Sequence, residues 1–192
     1  LTAAGVIVSL GHSDADFDTC AAAFAAGARC TTHLFNAMSG LGHRTPGLVG
    51  ATLDGDGAAG IIADGIHVHP AAVRAAVRAK ARGALFLVSD AMAVAGTDQT
   101  AFTLNGRQIT RAMGQLTLAD GTLAGADLSL PQAIAFMVAQ GGVTCERAIA
   151  MATSAPASVL RVAGTAGRLV AGQACDLVHF SPDLRTARIL DL

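Results

Sequence analysis

Four short apolar runs in the first half of the chain, at residues 6–10, 29–32, 59–63 and 84–89, are each followed within a few positions by an imidazole or a carboxylate. Runs of this length, bounded by glycine or polar residues, are strand-like rather than helical. The segments between them carry helix signals. Ser13 and Asp14 stand where a cap belongs ahead of a helix reaching Ala28, and Pro70 stands where a first-turn proline belongs ahead of a helix over 71–82. Alternating strands and helices predict a parallel sheet with crossover helices, either an open doubly wound sheet or part of a β/α barrel.

After Asp90 the pattern changes. Residues 102–104, 108–110 and 115–118 alternate in polarity around Asn105-Gly106 and Gly114, which predicts a β-hairpin excursion near 101–118. Helical patterns return at 129–140, 144–153 and 155–162. The stretches 172–180 and 187–190 read as two strands with a turn at Ser181-Pro182-Asp183. These divide the chain into a main α/β part, residues 1–164, and a small accessory sheet, residues 165–192. The sequence opens at Leu1, a few residues before the first strand-like run, and the complete enzyme is expected to begin further upstream.

Composition removes several classes of function. With 52% apolar and 14% charged residues the chain can bury a sizeable core, and a net charge of −1 without a basic run provides no footprint for a nucleic acid or an anionic membrane. No apolar stretch approaches bilayer-spanning length. Cys20, Cys30, Cys145 and Cys175 are scattered without a C-x-x-C pair, as expected of buried or idle thiols in a reducing cytosol. A cytoplasmic enzyme acting on a small polar molecule is the expectation that remains.

The chemistry-bearing residues follow the four predicted strands in turn: His12, then His33, then the Asp64-Gly65-Ile66-His67 turn, then Asp90. In a β/α barrel all C-terminal strand ends face one mouth, so groups distant in sequence converge there. Two neutral imidazoles can hold zinc while a neighbouring aspartate acts as base on an activated water. His43, His69 and His179 have no such register and read as surface or structural residues. Beyond His33, the loop with Asn36 and Arg44 offers an amide, backbone N–H groups and a guanidinium, a set suited to phosphate.

Taken together, Gly11-His12-Ser13-Asp14-Ala15, Thr32-His33-Leu34-Phe35-Asn36-Ala37-Met38, Arg44-Thr45-Pro46-Gly47, Ala63-Asp64-Gly65-Ile66-His67-Val68 and Leu87-Val88-Ser89-Asp90-Ala91 resemble the N-acetylglucosamine-6-phosphate deacetylases of the amidohydrolase superfamily. The resemblance extends through Gly121-Thr122-Leu123-Ala124-Gly125 to Gly167-Arg168-Leu169 and Gly172-Gln173-Ala174-Cys175-Asp176-Leu177. It implies a partial (β/α)8 TIM-type barrel with C-terminal strands of a small β-sandwich domain. It further implies His12 and His33 as ligands of a divalent metal, zinc foremost, with Fe, Mn, Co or Cd as alternatives, and Asp90 as catalytic acid and base.

Asn36, Ala37 and Arg44 would hold the sugar phosphate, His67 would hydrogen-bond the substrate, and Leu123, Ala124 and Gly125 would line the sugar side of the pocket. The implied reaction converts N-acetylglucosamine 6-phosphate to glucosamine 6-phosphate and acetate, in a homodimer serving amino-sugar catabolism and cell-wall recycling. The family's metal-binding glutamate and its carbonyl-polarising histidine precede the first of these motifs, and neither is in this sequence. Two other readings stand beside this one: a different amidohydrolase, for another amino-sugar phosphate or a cyclic amide, and a non-catalytic sugar-phosphate binder.

Overall fold

Parallel strand pairing in chain order sets the architecture. A computed structural model of the chain describes residues 1–80 and 82–190. Ala81, inside the helix expected over 71–82, and Asp191 and Leu192, at the end of the expected accessory sheet, lie outside the described residues. Strands β1 (Ser9–Leu10), β2 (Cys30–Thr31), β3 (Ala58–Ile61) and β4 (Leu85–Leu87) form one parallel sheet in the order β1-β2-β3-β4. The strands are shorter than the apolar runs suggest, but the ladder continues past them. Arg29 N–H donates to Val8 O at 2.8 Å, Thr32 N–H to Leu10 O at 2.7 Å and Leu34 N–H to Gly60 O at 2.7 Å. All four residues of β3 are buried, so its sequence is a continuous small and apolar run without alternation.

Three helices cross between these strands: α1 (Phe17–Ala25), α2 (Gly47–Asp54) and α3 (Pro70–Ala79). Helix α1 is shorter than the expected helix to Ala28, and neither Ser13 nor Asp14 caps it. Asp16 does, its carboxylate accepting Thr19 N–H at 2.8 Å. Ser13 is instead drawn into a parallel bridge with Met38. Helix α2 was not apparent from the sequence, since Gly47 and Gly50 depress local propensity. Burial overrides that preference, because Leu48, Val49, Ala51 and Thr52 are all enclosed.

The main core lies where β3 and β4 meet the helices: Ile61, Ile62, Leu85 and Leu87 pack with Val73 and Ala76 of α3 and with Ile134, Met137, Ala148 and Met151. The last four belong to α4 (Leu130–Phe136), a π turn continuing it (Met137–Gly141), and α5 (Cys145–Ala152). A short α6 (Ser154–Val159) follows. It is tied to the start of β2 by Arg29, which donates to Val159 O at 2.7 Å and Ser158 O at 2.9 Å.

The expected hairpin near 101–118 is larger than the sequence suggests. Strands β5 (Ala101–Leu104), β6 (Arg107–Ala112), β7 (Gln115–Leu118) and β8 (Leu123–Ala126) make a four-stranded antiparallel meander around Val94, Ile109 and Leu116. Asn105 and Gly106 both have positive φ, as do Met113 and Gly114, so both hairpin turns have the left-handed geometry that matches strand twist. At the end of the chain β9 (Leu177–Phe180) and β10 (Ala187–Leu190) pair antiparallel. No helix among the described residues is long and apolar enough to cross a membrane.

Lys80, directly after α3, is buried, and its ammonium donates to Thr52 O at 2.8 Å and Gly55 O at 2.7 Å at the end of α2. It thereby satisfies carbonyls that a helix end leaves unpaired. Lys80→Met, which keeps the length and removes the donors, is expected to cost about 1–3 kcal/mol. The check is the urea midpoint of the variant against the parent.

Candidate active site

Register explains which polar groups meet. Leu10, Thr31, Ala59 and Leu85 lie on one row across the sheet. His12 and His33 each follow that row by two residues, whereas Asp64 and Asp90 each follow it by five. The site is therefore built in two tiers, with neighbours on adjacent strands at matching heights.

In the first tier the imidazoles of His12 and His33 face each other, Nε2 to Nε2 at 2.8 Å, with ring planes inclined at 68°. His33 is buried and its Nδ1 has no hydrogen-bond partner among the described residues, while His12 is exposed. Two ligands at adjacent corners of a metal site with Zn–N bonds of about 2.0–2.1 Å stand about 3 Å apart, so the pair fits as part of a ligand set. No third His, Cys, Asp or Glu joins them among the described residues. The loops carrying them are stitched together, since Ser13 N–H donates to Ala37 O at 3.2 Å and Ser39 N–H to Ser13 O at 3.0 Å. Ser39 then fixes the approach to α2, donating to Ala15 O at 2.6 Å and accepting Leu48 N–H at 2.7 Å.

The second tier joins the turn after β3, the end of β4 and strand β8. Asp64 Oδ1 accepts the backbone N–H groups of Ile66 and His67, each at 2.8 Å, and Oδ2 lies 2.7 Å from His67 Nδ1. His67 Nε2 lies 3.2 Å from Ala124 O. Asp90 reaches the same strand through its backbone: Ala126 N–H donates to Asp90 O at 2.8 Å, and Ala91 bridges Ala126 in parallel. Gly125 is required by this approach, for a Cβ there would stand 2.6 Å from Asp90 O and 2.6 Å from Met92 Cγ. Arg111 fastens the far side, donating to Asp127 Oδ2 at 2.8 Å and to Thr97 O at 2.7 Å.

His12, His33 and Asp90 share a backbone property: all three have positive φ, 47°, 29° and 49°. A non-glycine residue in this region is disfavoured and is retained where the surroundings over-determine it, which is characteristic of sites that aim a side chain.

The sequence expectations meet this geometry unevenly. His12 and His33 are brought together, and His67, Ala124, Gly125 and Asp90 form a second group. No hydrogen bond links the Asp90 carboxylate to either imidazole of the first tier among the described residues. His67 has both ring nitrogens engaged within the protein, so the donor expected for substrate is occupied by Ala124 O. Asn36 turns its amide onto its own loop, 3.4 Å from both His33 O and Leu34 O. Ala37 lines a hollow with His12, Ser13, Asp14 and Met38. Arg44 lines the neighbouring cleft, where Asp14, Asp16 and Asp18 accompany it. Leu123 is exposed at the start of β8. Of the remaining histidines, His69 caps α3 by accepting Ala71 N–H at 3.2 Å, and His43 and His179 are exposed.

Asp64 was the residue sequence reasoning placed without a role. Its signal was present in the spacing, since an aspartate followed by glycine and then by two N–H groups at the second and third positions is the pattern of a side-chain-closed turn.

The chain matches the amidohydrolase family over residues 3–190. It is 39% identical over 190 residues to the N-acetylgalactosamine-6-phosphate deacetylase of Shewanella sp. (strain ANA-3), covering 98% of this chain and 48% of that protein. It is likewise 39% identical to the N-acetylglucosamine-6-phosphate deacetylase of Vibrio furnissii, over 95% of this chain and 46% of that one. Among solved structures, the N-acetylglucosamine-6-phosphate deacetylase of Pasteurella multocida superposes with a TM-score of 0.90 at 35% identity, over 94% of this chain and 48% of its own. A mixed α/β chain with strand-end histidines and aspartates is thus placed in a class: it belongs to the amidohydrolase family, with deacetylases of amino-sugar phosphates as its relatives. The chain spans about half the length of these curated relatives.

Both members of the Asp64–His67 pair are almost wholly enclosed and have displaced titrations. The hydrogen bond to Asp64 raises His67 above the usual histidine range; burial opposes this, and Ala124 O and the charges of Asp64 and Asp90 add to it. Burial, the largest influence on Asp64, pushes it up, but the hydrogen bonds from the His67 ring and the N–H groups of Ile66 and His67 outweigh it and bring it below the usual carboxylate range. His67 therefore contributes stability that is complete below an unfolded value of about 6.5 and is lost as pH rises through the folded value. Asp64 contributes stability that is complete above about 3.9 and is lost as pH falls through its folded value. The stabilisation from the pair is expected to be greatest between about pH 4 and 6.5, as read by urea midpoints across pH, and this maximum should flatten in His67→Gln.

Proposed function

We propose that this chain is the part of an amidohydrolase that removes the acetyl group from N-acetylglucosamine 6-phosphate, yielding glucosamine 6-phosphate and acetate. The observation that carries the reading is the His12–His33 contact at 2.8 Å, two imidazole nitrogens converging from adjacent strand ends in the sheet that also carries Asp90. The deacetylase relatives support the substrate class. On this reading the four parallel strands are an arc of a (β/α)8 barrel spanning residues 1–164, and β9 and β10 within 165–192 are strands of a small β-sandwich domain.

His12 and His33 are the residues that would hold the divalent ion the family implies, which we assign as zinc, with Fe, Mn, Co or Cd as alternatives. When bound, such an ion supplies Lewis acidity towards a carbonyl oxygen and lowers the pKa of water. Asp90 takes the proton of the attacking water and returns it to the amine nitrogen as the C–N bond breaks. Its left-handed backbone and the Ala126 N–H bond to its carbonyl fix where that carboxylate starts. Arg44, with Asn36 and Ala37, is assigned to the phosphate. The aspartates that share the Arg44 cleft would disfavour a dianion, and the guanidinium is the one cationic side chain among the described residues lining it to offset them. His67, Leu123, Ala124 and Gly125 are assigned to the sugar. A homodimer in the cytoplasm completes the proposal, on the strength of the family resemblance.

A second reading exchanges the sugar for its N-acetylgalactosamine epimer, which the 39% identity to the Shewanella enzyme supports as strongly as the equal identity to the Vibrio enzyme supports the first. Amine release from the two epimers, each with and without its phosphate, separates the readings. Release from the N-acetylglucosamine phosphate alone supports the first, release from the N-acetylgalactosamine phosphate alone the second, and equal rates on unphosphorylated sugars would remove the phosphate argument. Asp90→Asn is expected to lower amine release by about 10²–10⁴-fold while leaving metal content, read by elemental analysis, unchanged. His12→Asn combined with His33→Asn should remove the metal itself. Substantial turnover by Asp90→Asn would overturn the acid–base assignment.

A further inference from the structure

His67 makes two contacts that fix its protons by geometry. A carbonyl can only accept, so the 3.2 Å contact with Ala124 O requires a proton on Nε2. At Nδ1 the partner is Asp64 Oδ2 at 2.7 Å, and the other oxygen of the same carboxylate already accepts two backbone N–H groups at 2.8 Å. Two backbone N–H donors on one carboxyl group favour its ionised form, and an ionised carboxylate can only accept, which makes Nδ1 a donor as well. The ring is then an imidazolium paired with a carboxylate, both side chains less than a tenth exposed.

The charged groups acting on the ring are Asp64 from its own turn and Asp90 from the end of β4. Strand β8 presents the Ala124 carbonyl. From α4 the Phe136 ring closes on Gly65, where an added Cβ would stand 2.9 Å from it. These contacts leave the turn little room to re-aim His67.

We propose that Asp64 is a positioning residue for the substrate: it keeps His67 doubly protonated, so that Nε2–H is a charged donor and the position held here by Ala124 O takes a hydrogen-bond acceptor oxygen of the ligand. The inference rests on the deacetylase reading and deepens it, because His67 touches substrate there and Asp64 acts only through His67. Exchange of one acceptor for another, the Ala124 carbonyl for a ligand oxygen, leaves the imidazolium satisfied in both states. The same exchange releases β8 from His67 while Asp90 still holds it through Ala126, so ligand entry and the seating of Leu123, Ala124 and Gly125 become one event.

Asp64→Asn tests this cleanly. Its carbonyl oxygen can take the two backbone N–H groups while its NH2 donates to Nδ1, which keeps the turn and the Nε2–H donor but makes His67 neutral. Two readouts are needed on the metal-loaded protein, with His67→Gln used to assign the signal. The first is the 15N resonance of the His67 ring nitrogens across pH. The second is KM for N-acetylglucosamine 6-phosphate at pH 6 and pH 8.

Expected are two protonated ring nitrogens at pH 7 in the parent and a titration displaced downwards in Asp64→Asn. The KM of that variant should be raised about tenfold at pH 6, where the parent ring carries both protons, and less as pH rises through the parent's titration. A purely structural role would raise KM equally at both. One protonated ring nitrogen in the parent at pH 7, an unchanged titration in Asp64→Asn, or a pH-independent KM defect would each overturn the proposal. If Asp64→Asn does not fold, the parent titration decides. If the parent releases no amine, the deacetylase reading fails, and the ring resonances alone still establish or refute the doubly protonated His67.

Discussion

In a parallel sheet laid down in chain order, every strand delivers its next residue to the same edge, and the register decides at what height. The row through Leu10, Thr31, Ala59 and Leu85 sets that height here. It brings His12 beside His33 and the Asp64 turn beside Asp90, although these residues are separated by more than 20 positions. A slip of one residue between β2 and β3 would turn a fully buried strand around and separate the tiers. The continuous burial of β3, held by the core beneath it, is therefore what keeps the site's two levels in step.

Strand β8 couples this sheet to a second one. It is the last strand of a meander with its own small core, yet it is bonded to His67 through Ala124 and to Asp90 through Ala126. Arg111 and Asp127 close the outer side, tying the loop that leaves Asp90 to the strand that returns to it. The substitution-intolerant point in this arrangement is Gly125, where backbone meets backbone and no side chain fits. An element that looks like an excursion from the main fold is thus one wall of the site.

Much of this was legible in the sequence, and the misses have physical causes. The parallel strands and their trailing polar groups could be read because a buried strand needs an apolar run and a strand end needs a polar exit. Asn105-Gly106 and Gly114 declared their turns, although Met113 adopts positive φ without any signal of its own, and β8 was missed as a strand because its Gly125 lacks strand propensity. Helix α2 was hidden by its glycines and revealed only by its burial. The cap of α1 fell on Asp16 because Ser13 was claimed by Met38, a contact 25 residues away that no local rule anticipates. The convergence of the two imidazoles followed from strand order. The spacing of Asp64 signals the closed turn, but not that the second carboxylate oxygen takes the His67 ring.

The positive φ of His12, His33 and Asp90 has an evolutionary consequence. At such positions glycine relaxes the backbone, so the mutation that best suits the fold is one that erases the side chain the site depends on. Selection for a sturdier chain and selection for its chemistry then pull in opposite directions at these three codons. Under the proposed roles, a lineage released from the need for the reaction would be expected to lose these residues early.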